Sequence, residues 1–66
     1  MFLKKSLAAM ISHVAVNQEG KTFDVCNINL EMNYVKYYNY KGSFEIANII
    51  CSYIDKEEDI VYYRVK

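Results

Sequence analysis

The stretch GSFEIANIICSYIDK, residues 42–56, decides how the rest of the chain must fold. Its isoleucines favour a strand, because branching at Cβ suits an extended backbone. Strand parity, however, sets Phe44, Ile46 and Ile50 on one face with Asn48 and Ser52, a mixed pattern. At about 100° per residue, Glu45, Asn48, Ser52 and Asp55 instead fall in one narrow polar arc. Ile46, Ala47, Ile49, Ile50, Tyr53 and Ile54 fill the remainder of the wheel. Gly42-Ser43 supplies a break followed by an N-cap, and Glu45 suits the positive end of a helix. The spacing therefore predicts a helix over 43–56, at some cost in propensity. So broad an apolar face requires cover on two sides, from a sheet and a second helix or from a partner.

Upstream, Asn33 to Lys41 reads NYVKYYNYK and holds four of the seven tyrosines and two lysines. Tyrosine favours strands, so Tyr34–Tyr40 reads as one. Before it, Cys26, Ile28, Leu30 and Met32 alternate with Asn27, Asn29 and Glu31, which describes a half-buried strand. Phe23 and Val25 have the opposite parity, so a bulge is expected near Asp24 to Cys26. The short join at Met32-Asn33 makes these two strands an antiparallel hairpin. At the C-terminal side, Asp55 to Asp59 is a charged loop, and IVYYRV, residues 60–65, is a strand. Val61, Tyr63 and Val65 share one of its faces, and Ile60, Tyr62 and Arg64 share the other.

The opening residues, 2–16, gather Leu3, Leu7, Met10, Ile11 and Val14 on one side of a helical wheel, with Lys5, Ser6, Ser12 and His13 opposite. That predicts an amphipathic helix, closed by Gly20 in a left-handed cap or turn. Lys4 and Lys5 before a mildly apolar run resemble a signal peptide, but Ser12 and His13 interrupt the run. The segment is read as part of the mature domain. The expected order is α-β-β-α-β: one α+β domain over residues 1–66, a three-stranded, mainly antiparallel sheet with two helices packed on one face. The last strand is expected parallel to the second strand and beside the first.

Sixty-six residues bury a modest core, and length alone sets stability at roughly 3–10 kcal/mol. Eight basic and eight acidic residues leave no net charge, which argues against a general nucleic-acid binder and against a mimic of DNA. Cys26 and Cys51 have no metal-type spacing and lie in apolar segments, so two free, buried thiols in a reducing cytoplasm are expected. His13 is the sole histidine, expected on the surface with no triad partner. The two glycines, Gly20 and Gly42, make no phosphate cradle, and Asp55, Glu57, Glu58 and Asp59 lack calcium-loop spacing. An enzyme, a cofactor, a metal, a small-molecule substrate and a membrane association are not expected.

A small sheet covered on one face leaves the other free. Parity assigns Tyr34, Lys36, Tyr38, Tyr40, Tyr62 and Arg64 to that free face. Tyrosine suits such a surface, because its ring carries apolar area while its hydroxyl tolerates water. Cross-strand tyrosines also stabilise a sheet by packing on one another, without any partner. The small size, the composition and the expected order of elements resemble several phage and mobile-element proteins that bind and block a host or toxin protein. That resemblance implies a small cytoplasmic protein-binding module, an inhibitor of viral or plasmid origin, which docks another protein through the tyrosine face. Self-association to a homodimer through the same face or the sheet edge is part of this expectation. The alternative is a small single-stranded nucleic-acid-binding regulator, in which the rings stack on bases beside Lys36, Lys41 and Arg64.

Overall fold

The computed structural model describes residues 10–66. Five strands follow one another: β1 (Ser12–Val16), β2 (Thr22–Asn29), β3 (Tyr34–Tyr38), β4 (Phe44–Asp55) and β5 (Ile60–Val65). They close into a barrel in chain order, with β5 returning to lie beside β1. Successive strands pair antiparallel, whereas β1 and β5 pair parallel. An odd number of up-and-down strands leaves the first and last pointing the same way, so closure must be parallel. Among the described residues there is no helix. The described residues are all-β, and the expected α+β sheet with two covering helices is wrong.

Residues 44–55 show why. In the first half of β4, Ala47 lies opposite buried Val35 and Glu45 opposite buried Tyr37, so these two face inward. Phe44, Ile46 and Asn48 lie opposite Tyr38, Lys36 and Tyr34 and face outward. The register then slips between Ile49 and Cys51, inserting Ile50 as an extra residue. Beyond the slip Ser52 faces buried Tyr63, and Tyr53 faces Tyr62. A bulge shifts parity by one residue. The four polar residues of the supposed helical arc are thus split, Glu45 and Ser52 on the inner rows, Asn48 and Asp55 on the outer. The β-branched residues follow their strand preference after all.

The other expected helix is corrected where it can be seen. Residues 2–9 lie outside the described residues, and 12–16 form β1 between β2 and β5. The backbone of β1 finds partners on both sides, and Ala15 opposite Phe23 and Tyr63 is fully buried. The core is Ala15, Val35, Tyr37, Tyr63 and Val65, with Phe23, Val25, Ile28, Ala47, Ile49 and Val61 packed against it. Each wall of the barrel covers the other, so no helical layer is needed. The β2–β3 hairpin and the strand at 60–65 are present as expected, and β2 carries its bulge between Val25 and Asn27. That bulge brings Phe23, Val25 and Ile28 to the interior and expels Cys26, whose thiol donates to the Lys36 carbonyl at 3.3 Å. Leu30 and Met32, expected within a strand, sit exposed in the following turn. Cys26 and Cys51 are free thiols, but exposed rather than buried. The final strand lies beside β1 and β4, not beside the strand at 22–29.

The turns repeat two designs. Asn17-Gln18-Glu19-Gly20-Lys21 joins β1 to β2, and Asn39-Tyr40-Lys41-Gly42-Ser43 joins β3 to β4. In each, the asparagine side-chain oxygen accepts from the backbone N–H two and four residues on, all at 2.9–3.0 Å. In each, the glycine N–H donates to the asparagine carbonyl, and the glycine has positive φ, 85° and 81°. No atom lies within 4 Å of an added Cβ at either glycine, so backbone conformation alone selects the residue. The other two turns place Asn33 and Asp59 at φ near 60°, behind Asn29 and Asp55 side chains that cap backbone N–H groups. Gly20 is therefore a hairpin residue, not a helix cap.

Candidate functional site

The outer face of β3, β4 and β5 gathers most of the exposed apolar area that has strand support. On β3, Tyr34 and Lys36 are half-buried and Tyr38 is exposed, while the intervening Val35 and Tyr37 are buried. On β5, half-buried Tyr62 and exposed Arg64 point out, on the side opposite buried Tyr63 and Val65. The parity placed on these two strands from sequence is the parity they have. Between them runs β4, whose Phe44, Ile46, Ile50 and Tyr53 are 48–63% exposed.

Two aromatic clusters anchor the ends of this row. Tyr38 packs on Phe44 with ring centres 4.3 Å apart, and the Lys36 ammonium stands 4.6 Å above the Phe44 ring. Tyr53 stacks on Tyr62 at 5.0 Å. Phe44 and Tyr53 are separated by about 30 Å of extended strand, so the surface is a stripe rather than a round patch. Ile46 and Ile50 occupy its middle. Its two cations, Lys36 and Arg64, make no ion pair among the described residues. Sequence reasoning missed Phe44, Ile46, Ile50 and Tyr53, because a helix there would have buried them. Four large apolar residues at outward positions of one strand are the signal that identifies them once β4 is known to be extended.

Tyr40 does not belong to this surface. It lies in the β3–β4 turn, its ring 5.0 Å from Phe23 and its face 5.4 Å from the Lys21 ammonium. It lines a cleft of about 310 Å³ at the barrel mouth, between the two asparagine–glycine turns. Of the six residues expected on one face, five flank β4 and one stands apart.

The remaining tyrosines work inside. The Tyr63 hydroxyl is hydrogen-bonded to His13 Nδ1 at 2.9 Å, with the rings stacked at 5.9 Å. His13 is half-buried through this contact, not a free surface group as expected. The Tyr37 hydroxyl donates to Glu45 Oε1 at 3.2 Å. Burial pushes both phenols above their ordinary range, and the Glu45 carboxylate pushes Tyr37 further. These two hydroxyls are held by the fold and serve the core. Comparison of the chain with protein families, curated proteins and solved structures gave no match, so the reading of its surface rests on its own geometry.

Proposed function

We propose that the protein is a small protein-binding module that docks another protein through the outer stripe of β3, β4 and β5. The observation that carries this reading is the exposed row Phe44, Ile46, Ile50 and Tyr53 on a strand whose Ala47 and Ile49 pack against the core from the other side. Isolated exposed apolar residues need no explanation, but a run of them along one strand marks an interaction surface. Tyrosine and arginine at its edges, Tyr38, Tyr62 and Arg64, are the residue types that dominate binding energy at interfaces. Lys36 and Arg64 favour a partner that presents carboxylates around an apolar ridge. A cytoplasmic role as a blocker of a host or toxin protein fits this surface and the two free thiols. The likeness to small phage inhibitors now rests on size and composition alone, because the element order that supported it is replaced by the barrel. Pairing at a free sheet edge also loses its basis, since every strand has two neighbours.

The test compares variants on and off the stripe. Ile46→Asp and Tyr53→Asp should each abolish retention of a specific partner and melt as wild type, while Tyr40→Ala keeps the partner. Equal retention by every variant would remove the stripe from the proposal. Light scattering decides the occupant: a dimer dissolved by Ile46→Asp would make it a second copy of the chain. Titration with labelled single-stranded oligonucleotides at low salt tests the nucleic-acid alternative, which two cations on a neutral protein support weakly. Saturable binding lost in Lys36→Gln would replace the protein-binding reading.

A further inference from the structure

The barrel mouth presents a second site, independent of the outer stripe. The two asparagine–glycine turns stand on either side of the cleft, and Phe23 of β2, Tyr37 of β3 and Tyr40 of the second turn line its wall. Phe23 lies between Tyr37 and Tyr40, at 4.9 and 5.0 Å between ring centres, with tilts of 33° and 46°. Ring faces carry negative potential and attract cations within about 6 Å of their centres. One cation already responds to that field: the Lys21 ammonium sits 5.4 Å from the centre of Tyr40, steadied by Glu19 at 3.8 Å.

Glu45 decides what kind of cation the cleft suits. Its Oε1 accepts from the Tyr37 hydroxyl and its Oε2 accepts from Asn39 Nδ2 at 2.9 Å. Both donors are neutral and carry no charge to offset the carboxylate, and among the described residues no cation is paired with it. These two bonds leave about two of its four lone-pair sites open, fewer than three donors require. A primary ammonium entering the cleft would bring three N–H donors that need acceptors, and it would give up strong hydration. A quaternary ammonium has no N–H to satisfy. It needs only aromatic faces and a nearby negative charge, which is what the cleft supplies. Lys41 on the rim opposes such a ligand, and Lys21 competes with it for Tyr40.

We propose that the mouth cleft binds a quaternary ammonium group, of the kind carried by choline or by trimethylated lysine. The experiment is an amide NMR titration of the full chain with choline, with trimethyllysine, and with the neutral choline isostere in which tert-butyl replaces trimethylammonium. The expected result is saturable shifts at Lys21, Phe23, Tyr40 and Lys41 with roughly millimolar affinity for the cations. The isostere should bind at least several-fold more weakly. Tyr40→Ala and Glu45→Gln should each weaken choline by about 2- to 5-fold, whereas Lys41→Gln should tighten it. Tighter binding of trimethyllysine would point to a modified peptide as the source, and tighter binding of choline to a choline-bearing molecule. Equal affinity for the isostere, absence of saturation, or indifference to both Glu45→Gln and Lys41→Gln would overturn the assignment. These two variants keep the question open to refutation should Tyr40→Ala fail to fold.

Discussion

Tyr37 and Tyr38 are neighbours in the chain and occupy different solvents. Tyr37 is 6% exposed and Tyr38 48%, and the same contrast recurs on β5 between buried Tyr63 and outward Tyr62. Inside, each phenol has a fixed polar partner, Glu45 for Tyr37 and His13 for Tyr63. Outside, Tyr38 and Tyr62 rest on aromatic neighbours, Phe44 and Tyr53. The difference teaches how so small a barrel uses tyrosine. A ring fills interior volume while its hydroxyl reaches a polar group near the barrel end. The same residue one position along leaves a ring on the surface with its binding capacity unspent.

The contrast can be broken most directly by truncation. Tyr63→Ala should cost about 3–5 kcal/mol, close to the whole stability of a domain this size, and leave the chain largely unfolded. Tyr62→Ala should cost less than about 1 kcal/mol. Chemical denaturation of the two variants decides the matter, and similar losses would mean the rows are not distinct. Next in size is an alkaline transition. Tyr37 and Tyr63 have raised pKa values, so above the ordinary phenol value of 10.0 the unfolded chain loses protons first. It then binds fewer protons than the folded state, and stability falls as pH rises through that region until the folded phenols also ionise. Tyr37→Phe and Tyr63→Phe should each flatten this slope in denaturant melts taken across the alkaline range.

Removing a hydroxyl alone gives a smaller effect. Tyr63→Phe at neutral pH should cost about 0.5–1.5 kcal/mol, because His13 Nδ1 loses its partner in a half-buried place. Tyr38→Phe should cost nothing measurable. The outer row of β4 is similarly tolerant: Ile46→Thr and Ile50→Thr should stay within about 0.5 kcal/mol of wild type by thermal melting. The outward position of Cys26 and Cys51 offers a matching probe, since both thiols should react with a thiol reagent without denaturant. Protection of either one in the monomer would contradict the placement of the bulges.

Much of the fold was legible where strand parity is unbroken. Tyr34–Tyr38 and Ile60–Val65 alternate cleanly, and both rows come out on the sides that alternation assigns. The β2–β3 hairpin and its bulge could be read from a parity break near Cys26. β4 could not be read this way. Its register slip at Ile50 scrambles the period of two, and its outward apolar residues imitate a wide helical face. A clearer signal went unused. The spacing Asn-x-x-Gly-x occurs at 17–21 and again at 39–43, and both copies fold into the same hairpin turn. Two such turns require strands on both sides, which makes 12–16 and 44–55 extended.

The candidate surface was legible in part for the same reason. Tyr34, Lys36, Tyr38, Tyr62 and Arg64 follow from parity on two regular strands. Tyr40 left the group because it lies past the end of β3, where alternation no longer governs direction. The stripe on β4 was hidden behind the wrong secondary structure.

Local residue patterns alone determined the direction of each side chain on β3 and β5 and the abundance of phenol at a surface. Barrel closure decided the rest. Once β5 returned to β1, every wall had an opposing wall, and the apolar residues left over on β4 had nothing within the described chain to cover them. Pairing between segments as distant as Ser12–Val16 and Ile60–Val65 is set by contacts across the whole molecule, and no window of neighbouring residues contains it.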